Sequence, residues 1–524
     1  MPERILQQKI FPYDGSQDST KHPSLISPLD IVDSDNIIFT TYSTKKIRPG
    51  ITGAFDQRPS GNKHILGGVD FWRLGTQRVV YWDGQDIWAV NSEGIKDNIK
   101  GQATLPVDEA VTFEKFAGFL MIFFQDGNTL PKGWAMAGPI FDLNTPANGM
   151  PNAPFGRVFL NSLWVPDPSV PGRIIKSRTG DPTLMTGGDS LAIDLDVNDG
   201  DPSGITAIFP PFFGSLYVAK RFSIYKITPI VTSTGTIYSV AKITNGVGCN
   251  SHNAVVAAES SIIFPSDRGL HYLNSTDKFS EVETSFLSRN IQPPWVKEMN
   301  FNRSRYMTAV YDFDLNSYLL TFPKVGRNFP TDLWGFNIAV GKFYRWRDYN
   351  QTGIFRYIDF TSKKARTMVT SKEGDIGYID NENFSDYGKK YTLWLRSGII
   401  MPSGTPDERY NFKFIAPIFV PQTSGQMKLT YKTDAKWMET LIFDLTTQET
   451  GDLLGIDFIL GESYLGGLPQ LKLEKRTIGG YAMTYQWFIE FEPSEQPEIN
   501  EDFELLGVLV DVDRVEKTIG EVTA

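Results

Sequence analysis

Apolar and polar residues alternate along most of this chain in short runs, and nearly every run ends at a turn carrying Gly or Asp. An alternation of period two places one set of side chains on each face of a strand, so the pattern predicts half-buried β-strands; helical periodicity is almost absent. Val79-Val80-Tyr81-Trp82 meets Ile87-Trp88-Ala89-Val90 across Asp83-Gly84, a strong hairpin signal because Gly accepts the positive φ of a tight turn. A second such run is Phe119-Leu120-Met121-Ile122-Phe123-Phe124.

These hairpins recur. Comparable units begin near Gly68, Thr112, Gly156, Gly204, Asn253, Arg305 and Phe355, at intervals of about 44 to 52 residues, the length of one four-stranded propeller blade. A lone blade cannot bury both faces, so repetition at this length implies radial packing of neighbours. The fold class expected is all-β: a β-propeller of six to eight blades over residues 51–385, followed by a C-terminal β-sandwich. Past Tyr378 the rhythm changes. A polar stretch at 381–390 reads as a linker, and longer strands follow at 391–400, 412–420, 426–430, 481–491 and 505–510. Within them Met483, Tyr485, Trp487 and Ile489 share one face, which suits a sandwich or ring-assembly domain over 386–524. Residues 1–50, rich in Ser, Asp and Pro, read as an extended N-terminal arm.

Composition agrees with a β-rich chain, since aromatics are 13% of 524 residues and 46 Gly with 32 Pro supply turns. A net charge of −10 disfavours wrapping DNA or coating an anionic membrane. Cys249 is the single cysteine, so neither an internal disulfide framework nor a Cys-based zinc site is available. His22, His64, His252 and His271 are scattered without metal-ligand spacing. No apolar run reaches the length of a signal peptide core or a membrane helix, so synthesis in a host cytoplasm and no membrane anchor are expected.

The search for chemistry returns little. There is no Gly-x-Ser-x-Gly elbow, no phosphate-binding Gly-rich loop and no dinucleotide fingerprint, so the expectation is a non-enzyme without cofactors. The densest polar constellation is Asp194-Leu195-Asp196-Val197-Asn198-Asp199-Gly200-Asp201. Asp194, Asp196, Asn198 and Asp199 are weak candidates for calcium, because Gly200 stands seventh rather than sixth and Ile205 replaces the twelfth-position Glu. The segment 451–467 carries Leu453, Leu454, Ile456, Phe458, Leu460, Tyr464 and Leu465 among glycines. It either folds back as sandwich strands or presents an apolar subunit interface.

Four groups of residues, taken in order, resemble the propeller-bearing nozzle and hub proteins of short-tailed bacteriophages, the tail tubular protein B-like and packaged-DNA stabilisation family. They are Ile47-Arg48-Pro49-Gly50 with Gly53; Ser177-Arg178-Thr179-Gly180-Asp181-Pro182 with Thr186-Gly187-Gly188-Asp189; Ile243-Thr244-Asn245-Gly246-Val247-Gly248-Cys249 with Ser251 and the turn Phe264 to Leu270; and Phe458 to Gly466. The resemblance runs from about residue 47 to 510. It implies a virion tail component, a homohexameric ring contacting an adaptor and tail fibres or spikes, whose lumen retains and later conducts genomic DNA without reading its sequence. It carries no catalytic residues. An acidic lumen suits passage rather than grip, since every neutralised phosphate adds affinity through counterion release, and Asp194, Asp196, Asp199 and Asp201 are the candidates to line it. Two rivals remain: a propeller glycoside hydrolase or depolymerase acting on host surface polysaccharide, which needs a carboxylate pair in an axial pocket, and a propeller lectin, which needs near-identical sites in each blade.

Overall fold

A computed structural model describes residues 6–11, 15–27, 29–55, 63–143, 149–195, 201–233, 235–275, 282–402, 409–420, 425–434, 436–445, 472–473, 475–493 and 502–514. The chain is almost wholly β, and it divides into two compact units. One comprises residues 53–335 and 347–379; the other comprises residues 1–52, 336–346 and 380–524.

Among the described residues are seven four-stranded antiparallel sheets in succession, the blade unit of a β-propeller. They span 67–98, 111–142, 157–194, 207–245, 256–286, 308–346 and 351–380, and are numbered blades 1 to 7. The seventh has only three strands of its own and is completed by Gly50–Gly53 from the other end of the sequence. The order of the repeats in the sequence is thus the order of the sheets.

Local chemistry sets the hairpins. Leu74-Gly75 and Ala117-Gly118 join the first two strands of blades 1 and 2 with positive φ at both positions, the tight turn whose twist matches its strands. Asp83-Gly84 departs from the two-residue turn expected there. The loop runs through Asp86, because the Asp83 carboxylate accepts from the backbone N–H of Gln85 (2.9 Å) and Asp86 (2.6 Å) and from Trp88 Nε1 (2.8 Å). An Asx turn has replaced the tighter one.

Between blades the cores are aromatic and aliphatic. Trp82 of blade 1 meets Phe124 of blade 2 edge to face at 5.2 Å, in a cluster with Val80, Leu120 and Ile122. Trp164 and Ile174 of blade 3 pack with Leu216, Val218 and Ile227 of blade 4, and Tyr357 and Met368 of blade 7 with Val79 and Tyr81 of blade 1. Burying each large apolar side chain contributes roughly 1.5–3 kcal/mol. The first strands of blades 7, 1, 2 and 3 lie side by side, as do those of blades 5, 6 and 7, so they form the inner wall of the ring.

Besides Lys342–Trp346, the last strand of blade 6, the other unit holds two sheets among the described residues. One, of eight strands, is built on Tyr410–Phe419 and Glu504–Arg514, with Leu6–Phe11, Ile37–Phe39 and Lys45–Ile47 among its members. The second runs Ile31–Asp35, Leu393–Ser397, Tyr485–Glu492, Gln426–Thr433, Lys436–Asp444. Tyr485, Trp487, Ile489 and Phe491 are buried on one face of their strand, and Phe412 of the larger sheet meets Tyr485 edge to face at 4.9 Å. Met483 lies before that strand begins. Residues 1–50, expected as an arm, therefore supply strands to both sheets. Arg48 closes this unit from within: its guanidinium donates to both carboxylate oxygens of Asp386 and to Asn36 Oδ1 (2.8 Å), and stacks 3.6 Å from the Tyr391 ring.

Candidate functional site at the propeller axis

The strongest convergence of polar side chains in the propeller sits where its blades meet. The short turn His252–Ala254 enters blade 5, and its side chains reach blades that are not ring neighbours of blade 5. Asn253 Nδ2 donates to the Val111 carbonyl (2.8 Å), and Asn253 Oδ1 accepts from the Thr112 hydroxyl (2.9 Å), both on the first strand of blade 2. In a ring of seven, a bond between blades 2 and 5 must cross the centre. His252 Nδ1 accepts from the Ile208 N–H of blade 4 (3.1 Å), its ring stacks on Phe155 at 4.4 Å, and Nε2 lies 3.3 Å from Arg157 Nη2 of blade 3. A second crossing lies nearby: Tyr306 donates to the Asp108 carbonyl (2.8 Å), and Arg305 Nε pairs with Glu109 at 3.1 Å. At this level the axis is filled.

The electrostatics follow from the packing. Burial, helped by the Arg157 cation, holds His252 well below its usual pKa, so the hub imidazole is neutral. Arg157 also pairs with Glu114 at 3.3 Å; burial nonetheless raises the Glu114 carboxyl. Asp70 ties blade 7 to blade 1, accepting from Gln77 Nε2 (2.8 Å), Trp72 Nε1 (3.0 Å) and the Ile358 N–H (3.0 Å). With both ends of the Asn253 amide occupied and Glu114 paired, the hub is built to hold blades in place.

The residues singled out from sequence are brought to different ends. Asp194 is exposed at the outer strand of blade 3 and is bound in a two-pronged ion pair by Arg173 (2.6 and 3.0 Å), which lowers its pKa. Asp201 is 6% exposed, and its carboxylate accepts from the N–H groups of Ser203 (3.0 Å) and Phe222 (2.8 Å). A buried turn-former cannot line a lumen, so Asp201 leaves that set. Asp196, Asn198 and Asp199 lie outside the described residues, as do Leu453, Leu454, Ile456, Phe458, Leu460, Tyr464 and Leu465. Among the described residues no group of three His, Cys, Asp or Glu could hold a metal, and no helix is long and apolar enough to cross a membrane.

The other motifs resolve into scaffolding. Arg178 donates to the Thr186 and Gly187 carbonyls (3.0 and 3.1 Å), and Asp189 accepts from the Thr179 hydroxyl and N–H and from Lys176, which depresses its carboxyl strongly. Gly248 lies so close to the backbone of blade 4 that a Cβ would stand 2.1 Å from the Lys220 carbonyl. Cys249 is buried, and burial pushes its thiol up to about 12, far from a nucleophile's range. In the sequence His252 is one of four scattered histidines and Asn253 marks only the start of a repeat. Nothing local marks their role, because their partners lie about 44 and 141 residues away.

Two surface features stand apart. A cleft of about 720 Å³ is lined by Phe55, Glu93, Tyr357, Asp359, Phe360 and Tyr378. The last two strands of blade 4, Ser223–Thr232 and Gly235–Asn245, run on as a ribbon beyond the second, Leu216–Ala219, whose register ends at Ile227.

No family model matches the chain, and no curated protein matches it. Solved structures similar to it include the extracellular domain of a one-component system from B. thetaiotaomicron (12% identity, 80% of this chain, TM-score 0.34). The chain spans 43% of that protein's length. A catalytically inactive virginiamycin B lyase from Staphylococcus aureus with quinupristin is 11% identical over 63% of this chain and 97% of its own, with TM-score 0.40. The WD40 β-propeller domain of Doa1 is 10% identical over 62% and 95%, with TM-score 0.38.

Proposed function

We propose that this chain is a structural component of a short-tailed phage tail, a nozzle or hub ring that retains packaged DNA and forms the conduit for its ejection. The two sheets of the second unit are then a β-sandwich serving ring assembly. The observation that carries the reading is the filled axis. A propeller whose blades are hydrogen-bonded through its centre offers a rigid body rather than an open axial cup, and a channel for a duplex has to lie between copies. The ordered motifs support it further: those within the described residues hold turns and blade junctions together, as a scaffold protein requires. Electron microscopy of the purified chain tests the proposal. A six-fold ring with a central channel is expected; a monodisperse monomer at tens of micromolar overturns it.

The cleft favours one second reading, a site for host surface polysaccharide. Four aromatics with Glu93 and Asp359 could stack on and hydrogen-bond a sugar. Against it, Asp359 already accepts from the N–H groups of Thr361 (3.0 Å) and Ser362 (2.6 Å). Hydrolysis of host polysaccharide by the parent chain that disappears in Glu93→Gln would establish this reading over the first.

A further inference from the structure

The turns between the first and second strands of the blades carry a feature that folding does not explain. First strands run the same way in every blade, so these turns all emerge on one face of the propeller. In blades 1 to 5 the first turn residue is left-handed: Leu74 (φ 47°), Ala117 (52°), Leu160 (48°), Phe213 (46°) and Glu259 (51°). That position suits Asn, Asp or Gly, and a bulky apolar residue there strains the backbone. Leu74, Leu160 and Phe213 carry a second cost, being 95%, 49% and 54% exposed. Each stands where a small polar residue would fold better and dissolve better.

The ribbon of blade 4 leaves from the same face, because its strands run on past the pairing of Ile227 with Leu216, just after the Phe213-Gly214 turn. It exposes Ile230, Val231 and Ile237, and no charge occurs from Ile227 to Ala241. Cations lie beside the tips. Lys363, in the first turn of blade 7, places its ammonium 5.3 Å from the ring centroid of Trp72 in blade 1. Arg73 lies over Phe119 of blade 2 at 5.9 Å, and Arg356 over Phe313 of blade 6 at 4.5 Å. Neither these three nor the exposed Lys364 pairs with a carboxylate among the described residues. Nearby acids are engaged: Asp70 is buried among its donors, and Asp359 takes the Thr361 and Ser362 N–H groups. The basic arc ends at blades 5 and 6, whose turns hold Glu259 and Asp314. Charge elsewhere on the chain is screened by salt beyond about 8–10 Å, so the local balance decides what this face attracts.

The arrangement indicates the partner. Separate tips projecting from different blades suit a yielding surface that admits each side chain independently. Apolar tips beside aromatic rings and long cationic side chains match the layers of a bilayer, acyl chains beneath headgroup phosphates. We propose that this face docks peripherally on a lipid bilayer bearing anionic headgroups. Leu74, Leu160, Phe213 and the end of the ribbon enter the acyl boundary, while Lys363 and Lys364 meet the phosphates. One copy suffices for the contact, so it stands or falls apart from the ring reading, which microscopy of the particle measures.

The test is sedimentation of the full chain with vesicles. The parent is expected to pellet with phosphatidylcholine vesicles containing phosphatidylglycerol, and to bind phosphatidylcholine alone about tenfold more weakly or less. Leu74→Asn combined with Phe213→Asn keeps the turns, since Asn accepts positive φ. Its melting temperature is expected to hold or rise while vesicle binding falls about tenfold or more. Lys363→Glu with Lys364→Glu is expected to abolish the preference for phosphatidylglycerol. A parent that stays in solution with both vesicles, or a double-Asn variant that binds as the parent does, overturns the proposal. Leu74→Cys carrying an environment-sensitive dye gives a second readout, because the buried Cys249 stays unlabelled. A blue shift on adding vesicles is expected. A blue shift on concentrating the chain without lipid would place the tips against a second copy and overturn the assignment.

Discussion

Arg48 illustrates how a sequence signal and its physical meaning diverge. Before Pro49-Gly50 it reads as a turn residue, yet it is buried, paired with Asp386 and stacked on Tyr391, in the unit's interior. Breaking a buried pair leaves the remaining charge unpaired, at a cost of about 3–5 kcal/mol. Arg48→Ala is expected to lower the denaturation midpoint of this unit accordingly. Arg48→Lys should recover little, because an ammonium cannot span both carboxylate oxygens and the aromatic face. His271 offers a test by pH. Burial, then Arg268, lowers its pKa from 6.5 to about 4 between Phe264 and Phe286. The unfolded chain binds that proton first, so the stability His271 contributes is present above pH 6.5 and is lost as pH falls toward 4, amounting to about 3 kcal/mol. Glu109, Glu114 and Asp312 have raised pKa values and act in the opposite sense at lower pH. Melting temperatures of the parent and His271→Phe, measured from pH 7.5 to 4, should therefore converge or cross on acidification.

At the scale of elements, the blades were legible and the hub was not. Hairpins are local: alternation and turn residues specify each one, and units beginning near Gly68, Thr112 and Gly156 answer to sheets beginning at Gly67, Val111 and Arg157. Leu6–Phe11 by contrast pairs with Glu504–Arg514 at the far end of the sequence, so no window of sequence contains both strands. Asn253 is likewise an ordinary polar residue until blade 2 is placed against it. Asn253→Ala removes both axial bonds and leaves the Val111 carbonyl and Thr112 hydroxyl short of a partner; a loss of about 1–3 kcal/mol in denaturant unfolding is expected. Gly248→Ala should be worse, since its Cβ meets backbone that cannot rotate away.

For the whole molecule, charge bears on the proposed relation to DNA. On the proposed tail reading, a chain at −10 should retain duplex by enclosure rather than by contact. Binding of linear duplex to the assembled protein at about 150 mM salt is therefore expected to be undetectable by filter retention. A logarithmic salt slope near zero would accompany it; a steep slope would indicate phosphate contacts and contradict passage through an acidic lumen.

The interleaving of the second unit has a consequence in time. Leu6–Phe11 and Lys45–Ile47 pair with Glu504–Arg514, so the first strands to leave the ribosome wait for nearly the last. At about 5–20 residues per second that wait is roughly 25–90 s, during which Leu6–Phe11 has no mate and Lys45–Ile47 has only its short hairpin partner Ile37–Phe39. A nascent chain thus lacks the finished second unit, which on the reading proposed above serves ring assembly. On that reading, the order of synthesis alone spares polysomes, where neighbouring chains crowd together at high local concentration, from premature polymerisation.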